Sequence, residues 1–222
     1  MDLARSLDTP KHGTIVRAGY QHSGRGRIAG RSWEGEKDLN LLCTAVFESG
    51  RFDFPPLRLP ILVGVAVAWS VEGITSGRSE IKWPNDVLVH RLKIAGILCE
   101  AHRERIYVGI GLNCNQVAFS DTLKSPAVSL RLILGAEVEI ASVCERLLND
   151  LFRAIGSSDW HRELDSRLFS KGKSVTIERD TSDGPRREVV TILGVAADGA
   201  LEIRNESGDP EKLYAGEVTF KS

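Results

Sequence analysis

Ser23-Gly24-Arg25-Gly26-Arg27-Ile28-Ala29-Gly30-Arg31-Ser32-Trp33 sets three arginines and three glycines into the eight positions 24–31. Such a stretch has almost nothing apolar to bury, so burial cannot offset the entropy of ordering it. The segment from His22 to about Lys37 is therefore expected to stay unordered until an anion neutralises it. Glycine lets backbone N–H groups come close to a ligand, and guanidinium forks match carboxylates and phosphates. A ligand carrying both groups is the one this loop fits best. Trp33 closes the loop, where it can stack on a base or pack in the core.

Outward from the loop, Gly13 to Tyr20 reads as a strand feeding it, and Leu39 to Phe47 as a second strand. Residues 2–8 read as the end of a helix. Pro60 suits the first turn of a helix running to about Glu72. Short extended runs follow at Glu80–Trp83, Val87–Val89, Ile94–Glu100 and Ile106–Leu112, with a hairpin turn at His90-Arg91-Leu92. Two amphipathic helices are expected near 139–155 and 159–168. From Gly172 the pattern changes to short strands at Val175–Glu178, Val189–Val195, Leu201–Arg204 and Val218–Phe220. Turn chemistry separates them at Ser182-Asp183-Gly184-Pro185, Asp198-Gly199 and Ser207-Gly208-Asp209-Pro210.

Within this frame Lys82-Trp83-Pro84-Asn85-Asp86 ends a strand at proline and puts an amide and a carboxylate in a turn. A turn is a sufficient structural reason for both residues. A functional reading has them holding a metal–phosphate, a ribose hydroxyl or an incoming amine. Lys93 opens Lys93-Ile94-Ala95-Gly96-Ile97-Leu98, whose small residues leave room against the sheet. Gly109-Ile110-Gly111-Leu112-Asn113 repeats that device on the next strand.

The 222 residues are 42% hydrophobic, enough for one substantial domain and a small second one. With a net charge of -1 the chain has no global basic field for nucleic acid, so the clustered arginines act locally. The longest apolar run, Leu59 to Val71, reads as a buried helix too short to cross a bilayer, and no signal peptide precedes it. Cys43, Cys99, Cys114 and Cys144 form no Cys-x-x-Cys pair and read as reduced, mostly buried thiols in a cytoplasmic protein. No metal-ligating set is read from the sequence.

In order and spacing these motifs resemble the biotin protein ligases. Gln21, Gly24-Arg25-Gly26-Arg27, Gly30-Arg31-Ser32-Trp33, Lys82 to Asp86, Lys93 to Leu98 and Gly109 to Asn113 follow that family's pattern. Asp198-Gly199-Ala200-Leu201 and Ala215-Gly216-Glu217-Val218 resemble its small C-terminal domain. The resemblance implies an α/β (α+β) fold. Residues 1–170 would be a mixed sheet with packed helices, like class II aminoacyl-tRNA synthetases, and residues 171–222 an SH3-like barrel. It implies activation of biotin by ATP with Mg²⁺ as biotinyl-5′-AMP, then transfer to a lysine of a biotin carboxyl carrier domain.

By the same resemblance Arg27, Lys93 and Asp86 are catalytic. Gln21, Gly24, Arg25, Gly26, Arg27, Lys93, Gly96 and Gly109 contact biotin. Arg27, Arg31, Trp33, Asn85, Asp86 and Asn113 contact ATP. The family's Ser-Thr biotin contact would fall ahead of Met1, and Ile28-Ala29 stand where the family has one residue. The expected form has no DNA-binding domain and no membrane association, and a homodimer is compatible with it. A lipoate–protein ligase-like acyl transferase and a non-catalytic biotin- or RNA-binding module are the alternatives.

Overall fold

The structure, a computed structural model, describes residues 1–28, 30–121, 123, 125–181 and 184–219. The chain opens with a short helix α1 (Asp2–Ser6), strand β1 (Thr14–Ala18) and a two-residue pair inside the arginine loop, β2 (Gly24–Arg25) and β3 (Ser32–Trp33). Strand β4 (Asn40–Glu48) leads to α2 (Arg58–Thr75) and then to β5 (Ser79–Lys82), β6 (Asp86–Val89), β7 (Leu92–His102) and β8 (Arg105–Asn113). Helices α3 (Leu130–Leu134), α4 (Ile140–Ile155) and α5 (Trp160–Arg167) follow. The C-terminal strands are β9 (Ser174–Thr181), β10 (Gly184–Val195), β11 (Leu201–Arg204), β12 (Pro210–Leu213) and β13 (Glu217–Thr219).

The large sheet runs β1-β4-β8-β7-β6-β5. Its strand pairs are all antiparallel. The expected mixed character survives only as isolated parallel bridges, Ile81 to Leu168 and Lys93 to Ala127. The reason lies in the connections: most neighbouring strands are joined by short turns, which can return a chain only antiparallel. The hairpin between β6 and β7 turns at His90 and Arg91, with φ of 51° and 65°. That left-handed pair matches the twist of the flanking strands.

Alternation along β4 divides the molecule. Leu41, Cys43, Ala45 and Phe47 point into the main core with the buried residues of α2 and α4. Leu42 and Thr44 point the other way, into a cavity. Helix α2 is long and apolar enough by composition to cross a bilayer, which the shorter run expected from the sequence was not. Here it fills the core beside the sheet: Ile61, Leu62, Val65, Ala66 and Ala68 are all buried. Helix α4 starts where the Glu139 carboxylate accepts from Ala141 N and Ser142 N, a cap that satisfies two free N–H groups.

The C-terminal strands form an antiparallel sheet ordered β12-β11-β10-β9-β13. The expected boundary at 170 falls between α5 and β9. Trp83 Nε1 donates to Gly199 O at 3.0 Å, and Arg58 Nη2 donates to Ala197 O at 2.6 Å. The apolar residues of this sheet, such as Ile177, Ile192 and Ile203, belong to the same hydrophobic cluster as the helices. Strand β12, not expected from the sequence, starts at Pro210 on the sheet edge, where a missing donor does no harm. Residues Ser182 and Asp183 of one expected turn, Phe220 of one expected strand, and Ala29 of the loop lie outside the described residues.

Candidate active site

Opposite the helices, the large sheet floors a cavity of about 470 Å³. Two rows of residues make the floor. One runs Val16, Thr44, Gly109, Leu98 across β1, β4, β8 and β7; the other runs Ala18, Leu42, Gly111, Gly96 and on to Asp86 of β6. Pairing of Gly96 with Gly111 leaves a shallow slot, and the indole of Trp33 lies in it. A Cβ at Gly111 would sit 2.5 Å from Trp33 Cε2, and one at Gly96 2.9 Å from Cζ3. The indole N–H is buried without a hydrogen-bond partner. Lys93 Nζ stands 5.6 Å from the Trp33 ring centroid, within range of a cation–π attraction.

The roof is α1 and the arginine loop. The loop is not the unordered segment expected from its composition. Gly24 pairs with Trp33 and Arg25 with Ser32 in register, and Gly26 N donates to Arg31 O at 2.8 Å. Two of its three arginines, Arg25 and Arg31, are paired with carboxylates of the chain itself. Arg25 Nη2 donates to Asp2 Oδ1 at 2.9 Å, and the same guanidinium lies 3.6 Å from Glu100. Arg31 makes a bidentate pair with Glu217 of β13, its Nη1 at 2.7 Å. Arg27 Nη2 donates to the carbonyl of Gly216 at 2.6 Å. For Arg25 and Arg31, internal carboxylates thus supply the negative charge that composition alone assigned to a ligand.

These pairings set the protonation equilibria. Hydrogen bonding to Glu217 holds the Arg31 guanidinium above its ordinary value. Burial pushes Arg27 below its own, against the pull of Glu217 and Asp86. Opposite the loop, Lys93 Nζ meets Asp86 Oδ1 at 2.7 Å. Asn85 is held by its own side chain, Nδ2 donating to Ile97 O at 2.9 Å. That bond, with Ile97 N donating to Asn85 O, fixes the turn so that Asp86 faces the cavity.

Gln21, Gly24, Arg25, Gly26, Arg27, Arg31, Trp33, Asn85, Asp86, Lys93, Gly96 and Gly109 all line this cavity. Asn113 does not: it is buried at the end of β8, and its amide donates to Val128 O at 3.0 Å and weakly toward Lys93 O. From there it positions the backbone that carries Lys93. Three groups escaped the sequence reading of the site. Gly216 and Glu217 were visible only as part of a motif far along the chain. Thr44 was visible only as an interruption of an apolar strand. Residues 1–3 line the cavity from α1, with nothing in their types to announce it.

The six-stranded antiparallel sheet is thus covered by α2 and α4 on one face and carries the arginine–glycine loop over the other. The family model for the biotin/lipoate A/B protein ligase family matches residues 2–116, and the chain belongs to that family. It is 34% identical over 220 residues to the bifunctional ligase/repressor BirA of Bacillus spizizenii, covering 93% of this chain and 66% of that protein. It is 30% identical over 206 residues to biotin–protein ligase 2 of Arabidopsis thaliana, covering 85% of this chain and 61% of the relative. The chain therefore spans less than two thirds of the length of these curated relatives. Among solved structures, the biotin protein ligase from Aquifex aeolicus in complex with biotin and ATP superposes with a TM-score of 0.85 at 25% identity. That match covers 98% of this chain and 92% of the other.

Proposed function

We propose that this chain activates biotin with ATP and transfers it to a lysine of a carrier domain. The observation that carries this reading is the convergence of Arg27, Lys93 and Asp86 on a glycine-floored cavity. The family includes lipoate ligases. The biotin ligase names of the relatives and the Gly24–Arg31 loop favour biotin.

In the first step the biotin carboxylate attacks the α-phosphorus of ATP, the bond to the β-phosphate oxygen breaks, and pyrophosphate leaves. Two anions must meet, so the step is slow unless cations screen both. Arg27 and Lys93 are placed to do this. Each preorganised donor of this kind contributes about 3–4 kcal/mol to transition-state stabilisation. Arg25 and Gln21 line the biotin side, while Arg31, Asn85 and Trp33 line the nucleotide side, with the indole available to the adenine. Closure of the arginine loop excludes water from the mixed anhydride. In the second step the carrier amine attacks the acyl carbon and AMP leaves. Free lysine has a pKa of about 10.4, so its ammonium must lose a proton. Asp86 is the carboxylate placed to orient that group and take the proton.

Among the described residues no cluster of three or more His, Cys, Asp or Glu side chains could hold a metal by itself. Mg²⁺ fits this site as a companion of the nucleotide phosphates, with Asp86 and Asn85 the cavity oxygens available to it. It would supply charge neutralisation there. A direct test incubates the chain with biotin, ATP, Mg²⁺ and a purified biotin carboxyl carrier domain. A biotin-sized mass increase on one carrier lysine is expected, and an unmodified carrier would refute the assignment.

A further inference from the structure

Beyond the two rows of the cavity floor lies a third on the same face of the sheet: Thr14, Val46, Tyr107 and Glu100, across β1, β4, β8 and β7. Helix α1 sits on it. Ala4 is buried against Val46 and Tyr107, and the Arg5 guanidinium lies 5.4 Å from the Tyr107 ring centroid. Glu100 ends the row and meets two arginines. Arg5 Nη2 donates to Glu100 Oε2, and Arg25 Nη2 stands 3.6 Å from the same oxygen. Arg25 in turn gives both terminal nitrogens to Asp2, at 2.9 and 3.3 Å. Asp2 and Arg5 are three positions apart on α1 and so share one of its faces.

The four charges alternate in sign in the order Asp2, Arg25, Glu100, Arg5. They join three elements: α1, the arginine loop and β7. An isolated exposed ion pair contributes little, because it costs side-chain entropy and is screened by salt. A network differs, since each charge orders the next. Arg25 is held from two sides, and Arg5 is also held by the Tyr107 ring. Glu100 is the member common to both arginines. Asp2 and Arg25 line the cavity and Glu100 does not. Its carboxylate reaches the site only through the roof it holds.

We propose that Glu100 is a positioning residue: it pins α1 and Arg25 together as a preorganised roof over the acid end of the cavity. The inference rests on the biotin reading of the site, in which Arg25 lines the biotin side. A long side chain or loop that must be ordered on binding costs affinity, and setting it beforehand removes that cost. The composition of the loop implies that it orders only with its ligand. Here the network sets its first turn in advance, from a residue 75 positions away.

The test measures biotin-dependent ATP–pyrophosphate exchange by Glu100→Gln and Asp2→Asn proteins. Each variant keeps the shape of the side chain and removes one negative charge from the network. Glu100→Gln is expected to raise the KM for biotin about fivefold, with the KM for ATP and the kcat within about twofold of wild type. Asp2→Asn should shift the same constant in the same direction. It decides the matter if the Glu100 variant fails to melt cooperatively, because the Asp2 side chain is 71% exposed. Salt separates positioning from a general structural role. Between about 0.05 M and about 1 M NaCl the wild-type network is itself screened, so the gap in biotin KM between wild type and variant should close. Trypsin should also cut residues 22–31 several-fold faster in the ligand-free Glu100→Gln protein. A wild-type biotin KM in the folded variants would overturn the assignment. So would a gap that persists at high salt, or an equal rise in the KM for ATP. Absence of biotin-dependent exchange in the wild-type chain, with the difference in cleavage intact, would instead refute the biotin reading itself.

Discussion

Single side chains at this site are held by partners that can be removed one at a time. Lys93 reaches Asp86 at 2.7 Å and Arg27 reaches Gly216 O at 2.6 Å. Both lie at the cavity rather than in the core. Lys93→Ala and Arg27→Ala are each expected to slow adenylate formation by roughly 10²–10³-fold while leaving the thermal midpoint nearly unchanged. Quenched-flow measurement of acyl-adenylate formation checks this, and a near-normal rate in either variant would remove that residue from the chemistry. Gly111 makes a sharper case. An added Cβ would meet the Trp33 indole at 2.5 Å, so Gly111→Ala must push the ring out of its slot. Tryptophan emission should shift to the red and nucleotide binding should weaken. An unchanged spectrum would mean that the slot can widen. Cys43 and Cys114 report on the core: burial pushes both thiols up to about 12. Little thiolate forms near neutral pH. Neither cysteine should react with iodoacetamide in the folded protein within hours, as peptide mass mapping would read.

At the scale of elements, the arginine loop and strand β13 form one unit. The bidentate contact of Arg31 with Glu217, and that of Arg27 with Gly216, tie the loop to the C-terminal sheet. Glu217→Ala removes the carboxylate but leaves the Gly216 carbonyl, so the loop should loosen without the sheet unfolding. Trypsin should cut within residues 22–31 several-fold faster in this variant, and ligand should slow the cut in both proteins. Equal cleavage of variant and wild type would show that β13 does not hold the loop. The loop also shows where sequence reading stops. Its arginine and glycine spacing disclosed what it binds, because that follows from side-chain chemistry. Its order was not legible, because the neutralising acids Asp2, Glu100 and Glu217 lie 23, 75 and 186 positions from their arginines. Long apolar elements such as α2 and β4 were legible from periodicity and turn residues. Helix α3 and strand β12 were not, since five and four residues hold too little pattern.

The whole molecule is joined by pairs that cross its layers, and these make its stability depend on pH. Glu72 at the end of α2 accepts from Ser79 N and Oγ and from Arg167 of α5, the last at 2.7 Å. Burial works to raise its carboxyl, but the Arg167 guanidinium and the Ser79 donors outweigh it and hold it below the ordinary value. A depressed carboxylate stabilises the fold above the unfolded pKa of about 4.3. That contribution is lost as pH falls through the lower folded value. Glu72→Gln should therefore be less stable than wild type at pH 7, by about 1–3 kcal/mol, and the gap should close toward pH 3. Urea midpoints across that range check it, and a gap that widens in acid would reverse the assigned sign.

The central claim is that this cavity joins an acid to a nucleotide. Exchange of labelled pyrophosphate into ATP tests it most directly, because it reads the first step with no carrier protein present. The wild-type chain should catalyse exchange only when biotin is added, and lipoate should not replace it. Exchange without biotin, or none with it, would contradict the account.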